Sequence, residues 1–213
     1  MRGKRRSRKV FLAGGILLAA ALLLTGWNFF DDWRAGAEAA EVCTQLEQQL
    51  PQQDAGASGG QQAQTGEVEI PDYVLNPDME MPTLEVEGNA YIGVLDIPVL
   101  GLSLPVLSEW SYPNLRVAPC RYSGSAYEGA FVLAGHNYRS HFGTLRELQP
   151  GDTLTFTDTL GNVFSYRVEE VEVLAPTDVA QMLDERWDLS LFTCTPGGQA
   201  RVTVRCTAQN AIN

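Results

Sequence analysis

Hydrophobic positions fall into three regimes along the chain. From Val10 to Phe30 (VFLAGGILLAAALLLTGWNFF) 21 consecutive residues carry no charge, enough for a helix to cross about 30 Å of hydrocarbon. Residues 35–50 (AGAEAAEVCTQLEQQL) have helix-favouring composition with partial apolar periodicity, which predicts a short membrane-proximal helix. Residues 51–66 (PQQDAGASGGQQAQTG) are almost without apolar side chains and read as a flexible tether. If residues 31–70 behaved as random coil, they would hold the following domain roughly 35 Å from the membrane. Beyond that the period drops to two. Ala90–Ile97, Leu102–Val106, Ala130–Gly135, Thr153–Thr157, Val163–Leu174, Asp188–Cys194 and Arg201–Cys206 read as strands, and Leu160-Gly161-Asn162 is a hairpin signal. Helical stretches are short, at Ser111–Val117 and Phe142–Leu148. Seven or eight short strands predict a mostly β domain, either a closed or nearly closed barrel or a sandwich.

Charge divides the chain at the same boundaries. Residues 2–9 (RGKRRSRK) carry six cations and no acid, whereas all 26 acids lie beyond residue 30 with nine arginines and no lysine, a formal −17. So acidic a domain lacks the basic footprint that nucleic-acid binding requires. The basic run instead sets topology, with residues 1–9 cytoplasmic, 10–30 a transmembrane signal-anchor, 31–66 a juxtamembrane segment and linker, and 67–213 an extracellular domain. Trp27, Phe29 and Phe30 fall where an interfacial aromatic belt is expected. A cleaved signal peptide ending near Ala35-Gly36-Ala37 is the competing reading; the length of the apolar run and the intervening Asp31, Asp32 and Arg34 weigh against it.

Candidate chemistry gathers at two strand ends. His136 follows the apolar run AFVLAG, and Cys194 ends LSLFTC before a Thr-Pro-Gly-Gly break. A nucleophilic thiol needs exposure, a base and a positive neighbour. If 189–194 and 201–206 form an antiparallel hairpin, Cys194 stands opposite Arg201 and Arg205 opposite Ser190. Alternation then puts Arg201, Thr203 and Arg205 on one face and Val202, Val204 and Cys206 on the other, towards a core. Arg205 falls about 13 Å further along the strand from Arg201. His141, beside Phe142, suits a supporting or structural role, and Asn137 is a candidate for orienting the imidazole or the peptide. Cys120 and Cys206 are candidates for a disulfide in an exported chain, and Cys43 for a cross-link between copies. No Cys/His spacing suits a metal.

AGH at 134–136, SLFTC at 190–194 and RVTVR at 201–205, with YIGVLDIP, LSLPVL, GHNYRSHFGTLRELQPGD and TFTDTLGNVFSYRV in order between residues 90 and 206, resemble the sortases, membrane-anchored cysteine transpeptidases of Gram-positive cell surfaces. Ser190 stands where the family pattern has Thr, a departure that keeps a hydroxyl. The resemblance implies an eight-stranded β-barrel with His136, Cys194 and Arg201 around a groove, and no cofactor. It also implies cleavage of an LPxTG-like sorting signal through a thioacyl enzyme. Transfer then goes to an amine acceptor, either a peptidoglycan precursor or a pilin lysine. By the same resemblance Thr193 contacts the substrate backbone, and Ala175–Trp187 shapes sorting-signal choice. Acids near that loop bind calcium in some members, but Asp178, Asp184 and Glu185 lack dense ligand spacing. Residues 70–87 lie where some members carry a lid over the groove, and class D-like and class B-like assignments both stay open. A thiol hydrolase on the same scaffold and a silent membrane-anchored binding module are the alternatives; the trio of His136, Cys194 and Arg201 weighs against the module.

Overall fold

The computed structural model describes residues 3–51 and 70–209. The apolar run and the segment after it form one continuous helix, α1 (Gly3–Gln49), followed by the short α2 (Asp72–Leu75). Strands β1 (Leu84–Val86), β2 (Asn89–Ile97), β3 (Leu102–Leu107), β4 (Cys120–Ser125), β5 (Gly129–Ala134), β6 (Thr153–Asp158) and β7 (Val163–Leu174) follow. The single-turn helix α3 (Val179–Met182) then precedes β8 (Leu189–Cys194) and β9 (Arg201–Ala208). Neighbours run β2-β3-β4-β5-β8-β9-β7-β6, and β6 pairs back onto β2, so eight strands close a barrel with β1 added outside β2. The barrel expected from sequence is present. Its interior is filled by alternate residues such as Leu95, Phe131, Leu133, Phe156, Leu191, Val204 and Cys206.

Two strands escaped the sequence reading. Strand β4 (CRYSGS) has no apolar alternation and its pairing with β5 slips twice. Strand β1 has only three residues. The expected helices at Ser111–Val117 and Phe142–Leu148 shrink to 3-10 turns at Asn114–Arg116 and Leu145–Glu147.

Residues 35–49 are helical, as their composition predicts, and residues 31–49 are not random coil. Phe11 to Phe30 are exposed along α1 and form a stretch long and apolar enough to cross a membrane. Further along the same helix Ala35, Ala39, Val42, Cys43 and Leu46 are buried. Their three- and four-residue spacing makes one stripe, whose later part packs with Val86, Tyr91, Val94, Leu107, Ala118 and Cys120 on the outside of the barrel. The chain after the apolar stretch is therefore a docked strut, which removes the 35 Å stand-off. Apart from Pro51, the tether expected over 51–66 lies outside the described residues.

Other expectations are corrected. All four thiols are free, with Cys206 in the barrel interior and Cys120 in the cluster under α1, so no disulfide joins them. Cys43 is buried, its Sγ 3.5 Å from the Ser103 carbonyl oxygen, which takes this thiol out of reach of a cross-link between copies. In α2, Tyr73 stacks on Tyr127 and tilts against Phe164. Tyr127 precedes β5, so this aromatic cluster sits at the end of the barrel away from the exits of β5 and β8, and α2 covers no groove there.

The outer face of β9 is covered rather than exposed. Arg205, only 1% exposed, donates to Glu172 Oε1 (2.8 Å), Ser190 Oγ (2.8 Å), the Met182 carbonyl (3.2 Å) and the Gln181 carbonyl. The last two are carbonyls at the end of α3; the Gln181 carbonyl also accepts from the Asp184 N–H at 3.3 Å, whereas Arg205 is the donor to the Met182 carbonyl. Arg205 thus ties the β7–β8 connection to the barrel wall. Truncation would leave Ser190, Glu172 and the Met182 carbonyl without this donor, so Arg205→Ala should lower the unfolding free energy by about 3 kcal/mol, read from the denaturant midpoint. Barrel closure has its own steric requirement at Gly93, where β2 meets β6. A Cβ there would lie 2.1 Å from the Thr157 carbonyl oxygen. Gly93→Ala should cost about 2–3 kcal/mol by the same assay; an unchanged midpoint contradicts the closure.

Candidate active site

The site follows from strand order. Strand β8 lies between β5, its parallel neighbour, and β9, its antiparallel one. In the β5–β8 register Ala134 pairs with Phe192, and the Gly135 N–H still donates to the Phe192 carbonyl at 3.0 Å. Two residues beyond that pair stand His136 on one chain and Cys194 on the other. On the opposite side Cys194 pairs with Arg201. Cys194 and Arg201 therefore face each other one strand spacing of about 4.8 Å apart, at the barrel end where β5 leads into His136.

The β8–β9 hairpin holds the last pair in register. The Thr195 N–H donates to the Ala200 carbonyl (2.9 Å), and the Ala200 N–H donates back to Thr195 Oγ1 (3.0 Å). Arg201 is half-buried and its Nη1 donates to the carbonyls of Ala200 (3.1 Å) and Gly198 (3.2 Å). These contacts keep the guanidinium at the hairpin mouth beside the thiol.

Burial separates the cysteines. Cys43, Cys120 and Cys206 are buried, and desolvation pushes the first two up to about 12 and raises Cys206 as well. Cys194 alone is partly exposed, and it lines a groove together with Thr193 and Arg201. One wall of that groove is aromatic. Trp110 and Tyr112 meet at 5.2 Å, Trp110 meets Tyr122 edge-on at 5.6 Å, and Tyr122 meets Phe192 edge-on at 5.3 Å. The other wall comes from Ala175, Asp178, Val179 and Met182, the segment that Arg205 secures. Thr193 is 3% exposed and its Oγ1 has no hydrogen-bond partner, an unsatisfied polar atom at a groove wall.

His136 is half-buried, and its ring packs edge-on against Tyr138 with centroids 4.3 Å apart. Burial lowers its pKa below the usual imidazole value, Arg116 adds to the shift and Asp31 opposes it. His141 is fully buried, with neither ring nitrogen hydrogen-bonded. Burial, with His136 adding and Asp32 opposing, pushes it down to about 4, so it is a neutral packing group at pH 7. Asn137 shares the turn after β5, but no hydrogen bond among the described residues joins its side chain to His136.

Sequence reasoning found the Cys194–Arg201 pair but missed the aromatic wall, although Trp110, Tyr112 and Tyr122 are close in the chain around the β3–β4 connection. It also missed the confinement of Arg205, because strand parity gives a face without saying what covers it. Around the β7–β8 connection the acids serve local contacts. Asp184 is paired with Arg186, which holds its carboxyl down to about 2, and Asp178 accepts from the Ala175 N–H.

Comparison with known proteins points to one family. Residues 95–209, more than half of the chain, match the family model of the sortase domain. The chain is 25% identical to sortase A of Bacillus anthracis over 191 residues, covering 87% of this chain and 83% of that protein. Among solved structures it is similar to sortase A from Corynebacterium diphtheriae, with a TM-score of 0.53, 24% identity, and coverage of 58% of this chain and 63% of that one. A second is Clostridium perfringens sortase C with the C-terminal cell wall sorting motif, with a TM-score of 0.50, 20% identity, and coverage of 56% and 71%. Below 25% identity these structures speak for the fold, and the family match carries the rest. The chain belongs to the sortase family of cysteine transpeptidases.

Proposed function

We propose that the protein is a membrane-held transpeptidase that cleaves an LPxTG-like sorting signal and joins the released carboxyl end to an amine of a cell-wall precursor or a pilin lysine. In this reading residues 10–30 cross the membrane once, the basic tail is cytoplasmic, and the barrel works outside. The observation that carries it is the pairing of Cys194, the one partly exposed thiol, with Arg201 at the barrel end where β5 leads into His136.

The thiolate of Cys194 attacks the scissile carbonyl carbon, and the electron pair moves onto the oxygen. Arg201 donates to that oxyanion and fixes the peptide. When the intermediate collapses, the C–N bond breaks and the leaving amine takes a proton from His136. The thioester then meets an incoming amine. His136 accepts the proton that this amine loses, the new amide forms, and the thiolate departs. Thr193 Oγ1 supplies a partner for the peptide backbone, which relieves its buried unpaired state. The aromatic wall offers Trp110, Tyr112 and Tyr122 to the apolar residues of the signal. The Clostridium perfringens relative with its sorting motif is consistent with this substrate class.

The test incubates the protein with an LPxTG-like peptide library and an amine, followed by mass spectrometry. Transfer products should appear with the unmodified chain and vanish with Cys194→Ala, while Cys206→Ala retains them. Arg201→Ala should lower kcat by about 100- to 1,000-fold, as for loss of one oxyanion donor. Persistence of transfer in Cys194→Ala contradicts the reading, and release of acid with no amide product replaces transferase by hydrolase.

A further inference from the structure

The loop that carries His136 is held from outside the barrel. Phe142 N–H donates to the His136 carbonyl (3.1 Å), and the N–H groups of His141 and Gly143 donate to the Tyr138 carbonyl (3.0 and 2.8 Å). Those bonds close the loop upon itself but leave its outer edge to α1. There the Tyr138 hydroxyl donates to Asp31 Oδ2 at 2.6 Å. The Ser140 N–H and hydroxyl both donate to Asp32 Oδ1, at 3.1 and 2.9 Å. Below them Ala35 and Ala39 are buried, and His141 is fully enclosed. The contact depends on a small residue at position 36, since a Cβ on Gly36 would lie 2.8 Å from Ser140 Cβ. Asp31 and Asp32 directly follow Phe30, where the uncharged run ends.

We propose that the anchor helix is a working part of the active site, in which Asp31 and Asp32 clamp the His136 loop through Tyr138 and Ser140. Asp31 and Tyr138 are then positioning residues for the imidazole. The inference rests on the catalytic role proposed for His136. Tyr138 links the two, because one edge of its environment is the His136 ring and its hydroxyl is committed to α1. That commitment has an electrostatic side. Hydrogen bonds from Tyr138 and then Arg34 hold Asp31 below the ordinary carboxylate range, so it is charged at working pH. The charged groups that act on His136 are Asp31 from α1 and Arg116 from the 3-10 turn, while Tyr138 packs on its ring and the buried His141 lies in the same loop. Of these Asp31 is the one that favours the imidazolium, the form that protonates the leaving amine.

The experiment uses the full chain in lipid nanodiscs, with a sorting peptide the unmodified enzyme turns over and an amine acceptor. Asp31→Asn, Tyr138→Phe and Gly36→Val are compared with Asp31→Glu and His136→Ala. Loosening a general acid without touching the peptide groove should lower kcat by about 10- to 100-fold while KM for the peptide and the melting temperature stay close to those of the unmodified chain. In Asp31→Asn the alkaline limb of the kcat profile should also move to lower pH, because burial and Arg116 then act on His136 without opposition. Asp31→Glu, which keeps the charge, should restore part of both. Unchanged kcat and pH profile in all three variants, with transfer abolished in His136→Ala, overturns the clamp and leaves the proposed function standing. A loss of kcat that only tracks loss of folded protein also overturns it. Transfer that survives His136→Ala removes the histidine's role and this inference with it.

Discussion

The parallel pairing of β5 with β8 is the constraint on which the site depends. Two parallel strands leave a sheet at the same end, so whatever follows each of them meets at one rim. An antiparallel partner on the other side enters at that rim, which is how β9 brings Arg201 beside Cys194. The Cys194 thiol and the Arg201 guanidinium thus share the barrel end at which His136 follows β5, without any long loop having to find its place. The remainder of the barrel supports this arrangement: closure through Gly93 fixes the curvature, and the interior of apolar side chains makes the strand ends rigid.

The same geometry explains what sequence reading reached and where it stopped. The Cys194–Arg201 pair was legible because a hairpin is local, so counting from Thr-Pro-Gly-Gly suffices. From local pattern His136 was legible only as a histidine at a strand end, and its place beside Cys194 and Arg201 came from the resemblance of AGH to the sortases. Its partner strand lies more than fifty residues further on, and parallel pairing across that separation leaves no local pattern. Strand β4 was hidden because its residues carry no alternation and its register slips. Arg205 was placed on its face and its true surroundings were missed, since α3 covers it by tertiary packing alone.

The helix after the apolar stretch shows the opposite case. Its stripe of Ala35, Ala39, Val42, Cys43 and Leu46 was present in the sequence, yet small and mixed side chains make a weak amphipathic signal beside so apolar a run. Docked, the stripe joins the second hydrophobic cluster and draws the His136 loop towards the end of the apolar stretch. A barrel held in this way sits against the continuation of the apolar helix instead of at the end of a coil. The two walls of the groove are in turn set by side chains remote from the chemistry, Arg205 on one side and the Trp110–Tyr122–Phe192 series on the other. Position, more than any single strong interaction, distinguishes Cys194 from three other thiols that burial keeps protonated.

The most direct measurement is proteolytic mapping of the acyl group after rapid acid quench of the full-length protein mixed with a sorting peptide and no amine. The thioester is predicted on Cys194, with Cys43, Cys120 and Cys206 recovered as free thiols. An acyl group on any of those three, or peptide cleavage with no thioester formed, would contradict the account.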